Sequence, residues 1–371
     1  MTRPTRQEET DQASSAFQVA LTEIGTATTT EALALWSEVP AEQRAATAAG
    51  WLRRAITLVM GRRRQARDLA RAYYRLARAL QTGTTAADPY HPEPSHITLG
   101  DLRREFAGLA GTYVPPSTDA STPSGPSSPD TEPESIEPGV RDAAAEHGHQ
   151  VLDDSPEDWE RILVEELEGL REEEERIERE AEEELRTVLN ALGTRNLDRR
   201  LSQVDDQQPA KDADQQRGDA HRKAGAQQAG AASRVAMNGG RSTLWHHASR
   251  DRRALGYVRV SRTGTPCGFC AMLLSRGVAY KSEASALYKD GDLFHDHCHC
   301  AALPVFNAQQ YGASALTELN RQYADLWPKV TKGHSGRSAL NAWRRFLRAQ
   351  LREHQKAEAQ VARRATTAQE A

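Results

Sequence analysis

Cys267-Gly268-Phe269-Cys270 and His295-Asp-His-Cys298-His-Cys300, separated by twenty-four residues, hold all four cysteines of the chain. A C-x-x-C turn brings two thiolates to one point, and the later cluster supplies further sulfur and imidazole ligands. A closed tetrahedral zinc site needs four such ligands, so the spacing predicts a structural Zn²⁺ site. We expect its ligands to be four of five residues: Cys267, Cys270, His295, Cys298 and Cys300.

The second motif offers more donors than the site needs, and spacing does not choose among them. If the backbone from Cys298 to Cys300 is extended, both thiols share a face and His299 points away. If it forms a turn, His295 and Cys298 come together instead. The C-x-x-C has no spare donor, so we expect Cys267→Ser and Cys270→Ser to be the most damaging single changes.

Three other interpretations of the cysteines stay open at this point. Two disulfides are compatible with four cysteines, but the first residues lack the apolar segment of a signal peptide, which favours a reducing compartment where disulfides are rare. A thioredoxin-like redox pair would sit in a βαβ pattern, which does not surround the C-x-x-C. The cysteines could also simply pack as small apolar residues.

The same stretch resembles a family, the Mu F-like minor head proteins of tailed bacteriophages. Members carry a C-x-x-C, a Gly-x-x-Tyr/Phe step and a terminal H-x-x-C-x-C, which here are Cys267 to Cys270, Gly277-Val-Ala-Tyr280 and His295 to Cys300. The resemblance covers about fifty residues and is closest to the version in phages of actinobacteria. Members commonly have Pro after the His and Arg between the last cysteines, where this chain has Asp296 and His299.

The resemblance implies a minor head protein that acts in procapsid assembly and head morphogenesis at the portal side. The alternative it implies is a capsid maturation protease that processes scaffold or major capsid protein. Portal protein, scaffold and major capsid protein are then the expected partners. The expected locations are the host cytoplasm during assembly and the virion head or procapsid interior.

Ordinary catalytic motifs are missing from the sequence, so the catalytic residues of a protease stay unknown. There is no G-x-S-x-G, no H-E-x-x-H, no phosphate-binding glycine loop and no Rossmann fingerprint. If the chain is a protease, His295, His297 and His299 are the candidates for acid or base work.

The helical spacing of apolar residues and the cysteine motif predict a mainly α-helical chain with a small zinc-stabilised α+β module towards its C-terminus. Only 38% of the residues are hydrophobic and 27% are charged, which argues against one large core. No apolar run reaches the eighteen or so residues that a membrane span requires. The predicted order is a helical domain at 1–113, a Pro/Ser/Thr-rich disordered linker at 114–150, an acidic amphipathic helix at 151–195, a polar Gln/Ala-rich connector at 196–240, the C-x-x-C module at 241–310, and basic helices with a frayed tail at 311–371.

Charge is strongly segregated along the chain. Nine arginines and one acid lie between Arg53 and Arg78, within apolar residues spaced as in helices. This segment predicts either a solvated helix face or a surface that contacts an acidic protein or DNA phosphates without reading sequence.

The opposite charge lies on the predicted acidic helix. Ser155 and Pro156 predict its start, and fifteen acids with four arginines give a charge of −11 between Glu157 and Glu184. Its narrow apolar seam needs a partner, in another chain or in the chain's own basic helix.

Overall fold

A computed structural model describes residues 4–369 except 43, 112, 114–159, 205–208, 263–264, 281–293 and 295–297. The described part is mainly helical, as predicted, and the predicted linker at 114–150 lies outside it. Within these ranges no helix is both long and apolar enough to cross a membrane. The helices are α1 (Arg6–Ser37), α2 (Arg44–Thr82), α3 (Leu99–Ala110), α4 (Leu170–Leu192), α5 (Thr194–Leu201), α6 (Ala210–Arg250), α7 (Gly268–Leu274), α8 (Ala308–Ala313), α9 (Glu318–Val330) and α10 (Gly336–Gln369). The strands are β1 (Thr84–Ala86), β2 (His96–Thr98), β3 (Arg161–Glu165), β4 (Gly256–Val260), β5 (Val278–Tyr280) and β6 (Ala301–Val305).

Helices α1 and α2 confirm the helical pattern that the sequence shows before residue 83. A capping box begins α1, because the Thr5 side chain accepts from the Glu8 N–H while the Glu8 carboxylate accepts from the Thr5 N–H. Gly83, with φ of 73°, ends α2 and donates its N–H to the Ala79 carbonyl. The apolar faces of both helices then pack on α6.

Most of the predicted polar connector at 196–240 belongs to α6, which is the central helix of the fold. Its inward residues are mostly alanine, glycine and serine, which add little hydrophobicity to the sequence but let helices approach closely. A Cβ at Gly239 would lie 2.4 Å from the Arg63 carbonyl oxygen of α2, and one at Gly225 would lie 2.5 Å from the Trp36 ring of α1. Close backbone contact therefore replaces large side chains in this part of the core.

The predicted start of the acidic helix is wrong where the structure describes it. Residues 151–159 lie outside the described part, and Arg161–Glu165 forms strand β3. This strand lies between β1, which is parallel to it, and β2, which is antiparallel, and it buries Ile162. Gly169, with φ of 65°, then separates the strand from α4.

Helix α4 finds its partner within the same chain, on α6 and α2. Glu174 and His247 are both buried, with 2.9 Å between Oε1 and Nε2. Glu178 pairs with Arg63 of α2 at 2.9 Å, and Leu185 and Leu189 are fully buried in the same interface. The sequence predicts a partner in another chain or in the chain's own basic helix. The structure shows the basic helix α2 as a partner, together with α6.

The arginines of α2 do not form the predicted solvated face. Seven of the nine are in ion pairs with acids of this chain. Arg78 is 1% exposed and pairs with Asp251 at 2.6 Å, and Arg75 is 2% exposed and pairs with Glu105 at 2.8 Å. Most of this positive charge is therefore paired with acids of the same chain.

The C-terminal module combines a small sheet with helices. Strand β4 lies between β5 and β6, antiparallel to both, as the alternating pattern around Tyr257 predicts for a strand. Helices α7, α9 and α10 pack together around Trp343, which is fully buried. Helix α10 continues to Gln369, so the predicted frayed tail is helical as far as the structure describes it.

Candidate metal centre

Helix α7 and the segment before β6 bring three cysteines together. Cys267 is the N-cap of α7, and its sulfur accepts from the Cys270 N–H at 3.4 Å. Cys270 lies in the first turn of that helix. Cys298 and Cys300 come directly before β6, whose pairing with β4 fixes the end of the second motif next to the first. The two halves of the sequence motif thus meet at one place.

The three thiols form a compact, buried group. The Sγ atoms of Cys270, Cys298 and Cys300 all lie within 4.8 Å of one another, and those of Cys270 and Cys298 are 3.5 Å apart. These residues are 1%, 5% and 4% exposed. All four cysteines are described, and none forms a disulfide. The group could hold a metal ion.

As thiols, the three groups share protons through hydrogen bonds. Bonds from Cys270 and Cys300 hold the pKa of Cys298 far below its usual value, and the Arg241 charge lowers it further. The bond with Cys298 raises the pKa of Cys270. For Cys300, the bond with Cys270 lowers the pKa, but the bond with Cys298 and burial raise it to about 12 overall. Burial and these mutual hydrogen bonds oppose ionisation of all three thiols together, so a bound cation is needed to hold three thiolates.

Two buried arginines lie beside the cysteines and hold the motif in place. Arg241 of α6 is 2% exposed and donates to the carbonyls of Cys298 and Cys300, the latter at 3.2 Å. Arg259 of β4 is 7% exposed, with its Nη1 3.7 Å from Cys270 Sγ. The two guanidiniums lie 4.1 and 3.8 Å from the Phe294 ring centroid. These cations suit a site rich in thiolates.

Burial lowers the pKa of Arg241 to about 10, although the cysteines act to raise it. Among the described residues, no carboxylate lies within ion-pair distance of Arg241. A buried cation without a carboxylate is costly, so the negative charge of bound thiolates is a favourable neighbour for it.

The other predicted ligands are placed differently. Cys267 is exposed and is not part of the group of three, and His295 lies outside the described residues, as does His297. His299 is exposed. The structure thus brings three of the five predicted ligands together, and the choice of the fourth stays a prediction.

Sequence reasoning missed the residues that support the cysteines. Arg241 lies fifty-seven residues before Cys298, at the start of the predicted module, and Trp343 lies in a helix seventy-three residues beyond Cys270. Gly268 is needed for close approach to α10, because a Cβ there would lie 2.7 Å from Arg344 Cγ. Nothing in the sequence next to Arg241 or Gly268 indicates that the first is buried beside the cysteines or that the second contacts α10.

Comparison with known proteins gives one match. A family model described as VG15 protein matches residues 202–326, which include all of α6 and both halves of the cysteine motif and end within α9. This match supports a phage protein. No curated protein and no solved structure matches the chain.

Proposed function

We propose that the chain is a Mu F-like minor head protein of a tailed phage. It acts in procapsid assembly and head morphogenesis at the portal side, and Zn²⁺ holds its C-terminal module together. The observation that carries this proposal is the convergence of Cys270, Cys298 and Cys300 from the two halves of the motif that resembles the family. The VG15 match over 202–326, which contains this motif, supports the phage origin in this proposal.

Zinc is the metal that the donor set fits best. Thiolate-rich sites select Zn²⁺, and zinc–sulfur bonds of about 2.3 Å in a tetrahedron place the sulfurs about 3.8 Å apart. The 3.5 Å between Cys270 and Cys298 is close to that separation. Cys267 or His295 would complete the tetrahedron.

Burial favours a structural role for the metal over catalysis. A catalytic zinc keeps one position open to water, whereas these three cysteine residues are at least 95% buried. The cysteines also lie in one apolar cluster with Leu274, Tyr323 and Trp343. A closed site of this kind stabilises a small module whose own core is modest.

Co-expression with the portal, scaffold and major capsid proteins of the same phage tests the proposal. We compare the native chain with the double variant Cys270→Ala/Cys298→Ala and with Ser275→Ala, a control in the same module. Electron microscopy should show heads with portals for the native chain and the control, and aberrant particles for the double variant. Mass spectrometry should show the scaffold and capsid proteins at full length in all three.

Two outcomes would contradict the proposal. Normal heads with the double variant would exclude a structural metal in assembly. Processed capsid or scaffold products that disappear with His295→Ala would establish the protease in place of the structural role.

A further inference from the structure

Helix α10 carries a run of exposed cations, although the sequence places its densest arginine run on α2. Seven of the nine α2 arginines are in ion pairs with acids of this chain, as described above. On α10, by contrast, Arg337, Arg345, Arg348 and Arg352 are exposed, as is Lys356. No carboxylate among the described residues lies within ion-pair distance of these five side chains. Their charge is available to a partner.

These cations form a stripe on one face of the helix. Arg345, Arg348, Arg352 and Lys356 follow one another at steps of three and four residues, so they lie on one side of α10 and span about 16 Å of its axis. Trp343 and Ala339, which are buried against the module, lie on the opposite side. The stripe therefore faces solvent along the length of the helix.

The cationic face of α10 also carries exposed polar side chains. Ser338 and Asn341 precede the stripe on the same face, and Gln355 lies within it. Protein interfaces are centred on buried aromatic or apolar anchors, and no aromatic residue lies in this stripe. Arginine, lysine, serine, asparagine and glutamine are the side chains that donate to phosphate oxygens.

We propose that the stripe Arg345–Arg348–Arg352–Lys356 of α10 binds double-stranded DNA through its phosphates, without sequence preference. The helix is mounted on the metal module through Trp343, so the module holds this surface at a fixed position. DNA binding by this stripe is separate from the proposed role in head assembly, because the cysteines do not form the stripe.

Fluorescence anisotropy with a short labelled duplex tests the surface, using the full chain at several salt concentrations. Four phosphate contacts predict that log K falls with log salt with a slope of about −4 for the native chain. The variant Arg345→Gln/Arg348→Gln/Arg352→Gln should lower this slope to about −1. Its charge-conserving counterpart, with lysine at the same three positions, should retain the native slope.

A matched control removes the same charge from the acidic helix. Arg171, Arg176 and Arg186 of α4 are 58%, 50% and 53% exposed, and each pairs with a glutamate of its own helix. Changing these three to glutamine should leave DNA binding unchanged. Circular dichroism and melting temperature show whether each variant is folded.

The inference is overturned if the native chain does not bind the duplex at low salt, or if the α10 glutamine variant keeps the native slope. Tighter binding of poly-glutamate than of DNA would also overturn it and would indicate an acidic protein as the partner. Because no capsid protein takes part in this experiment, its outcome is independent of the assembly test.

Discussion

Replacing Gly239 by alanine should destabilise the protein, although alanine is the better helix former. The added Cβ would lie 2.4 Å from the Arg63 carbonyl oxygen and 2.7 Å from Arg63 Cγ. An ordinary contact needs about 1 Å more, so α6 and α2 would have to separate where they cross. Overpacking of this kind typically costs about 1–3 kcal/mol, and the gain in helix propensity offsets about 1 kcal/mol of it. We expect a net loss of up to about 2 kcal/mol in the free energy of unfolding.

Gly218, on the same helix, is the matched control. A Cβ there meets only the Arg222 guanidinium, at 3.4 Å. Gly218→Ala should therefore stabilise the protein by up to about 1 kcal/mol. Urea unfolding followed by circular dichroism measures both variants. If both substitutions stabilise equally, α6 does not pack closely on α2, and the central position of this helix is refuted.

Two further predictions concern Glu165 and Arg241. The hydrogen bond from Arg253, followed by that from Arg78, lowers the pKa of Glu165 from 4.5 to about 2. The ionised Glu165 therefore stabilises the folded protein above pH 4.5, and this stabilisation is lost as the pH falls towards about 2. The difference in the free energy of unfolding between native protein and Glu165→Gln should shrink over that range. A difference that stays constant would contradict this prediction. Arg241→Met should lower metal affinity about 10–100-fold in a chelator competition, because the Cys298 and Cys300 carbonyls lose their donor. Arg234→Met, on the same helix, is the control, and equal affinities in both variants would contradict the role of Arg241.

The parts of the fold that the sequence predicts well are those with large periodic apolar residues. Trp51, Val59 and Leu69 mark the buried face of α2, and alternation around Val258 marks β4. Helix α6 has no such signal, since its inward face is made of alanine, glycine and serine that also suit a flexible connector. Strand β3 is not predicted because Leu163, Leu167 and Leu170 have the spacing of a helical seam that continues into α4. The pairing of β3 with β1 and β2 depends on contacts distant in sequence, so the local pattern of residues does not predict it.

The candidate site divides in a similar way. Ligand spacing predicts that the two halves of the motif meet, and three of the four cysteines do so. Spacing does not predict the buried cations, since Arg241 comes from α6 and precedes Cys298 by fifty-seven residues. The arginine run on α2 predicts an exposed basic surface, and its ion pairs within the fold are not predicted either. Its partners, Asp251, Glu165 and Glu178, are distant in sequence, so the pairing that buries those arginines appears only in the folded chain.

The metal content of the purified chain tests the central claim most directly. Elemental analysis of the native protein, purified without added metal, should find about one zinc per chain, because the cysteine group together with one further ligand makes one four-coordinate site. Cys298→Ser should remove most of this zinc, and Ser275→Ala should retain it. Native protein without bound metal, whose thiols react equally fast before and after treatment with a chelator, would contradict the account.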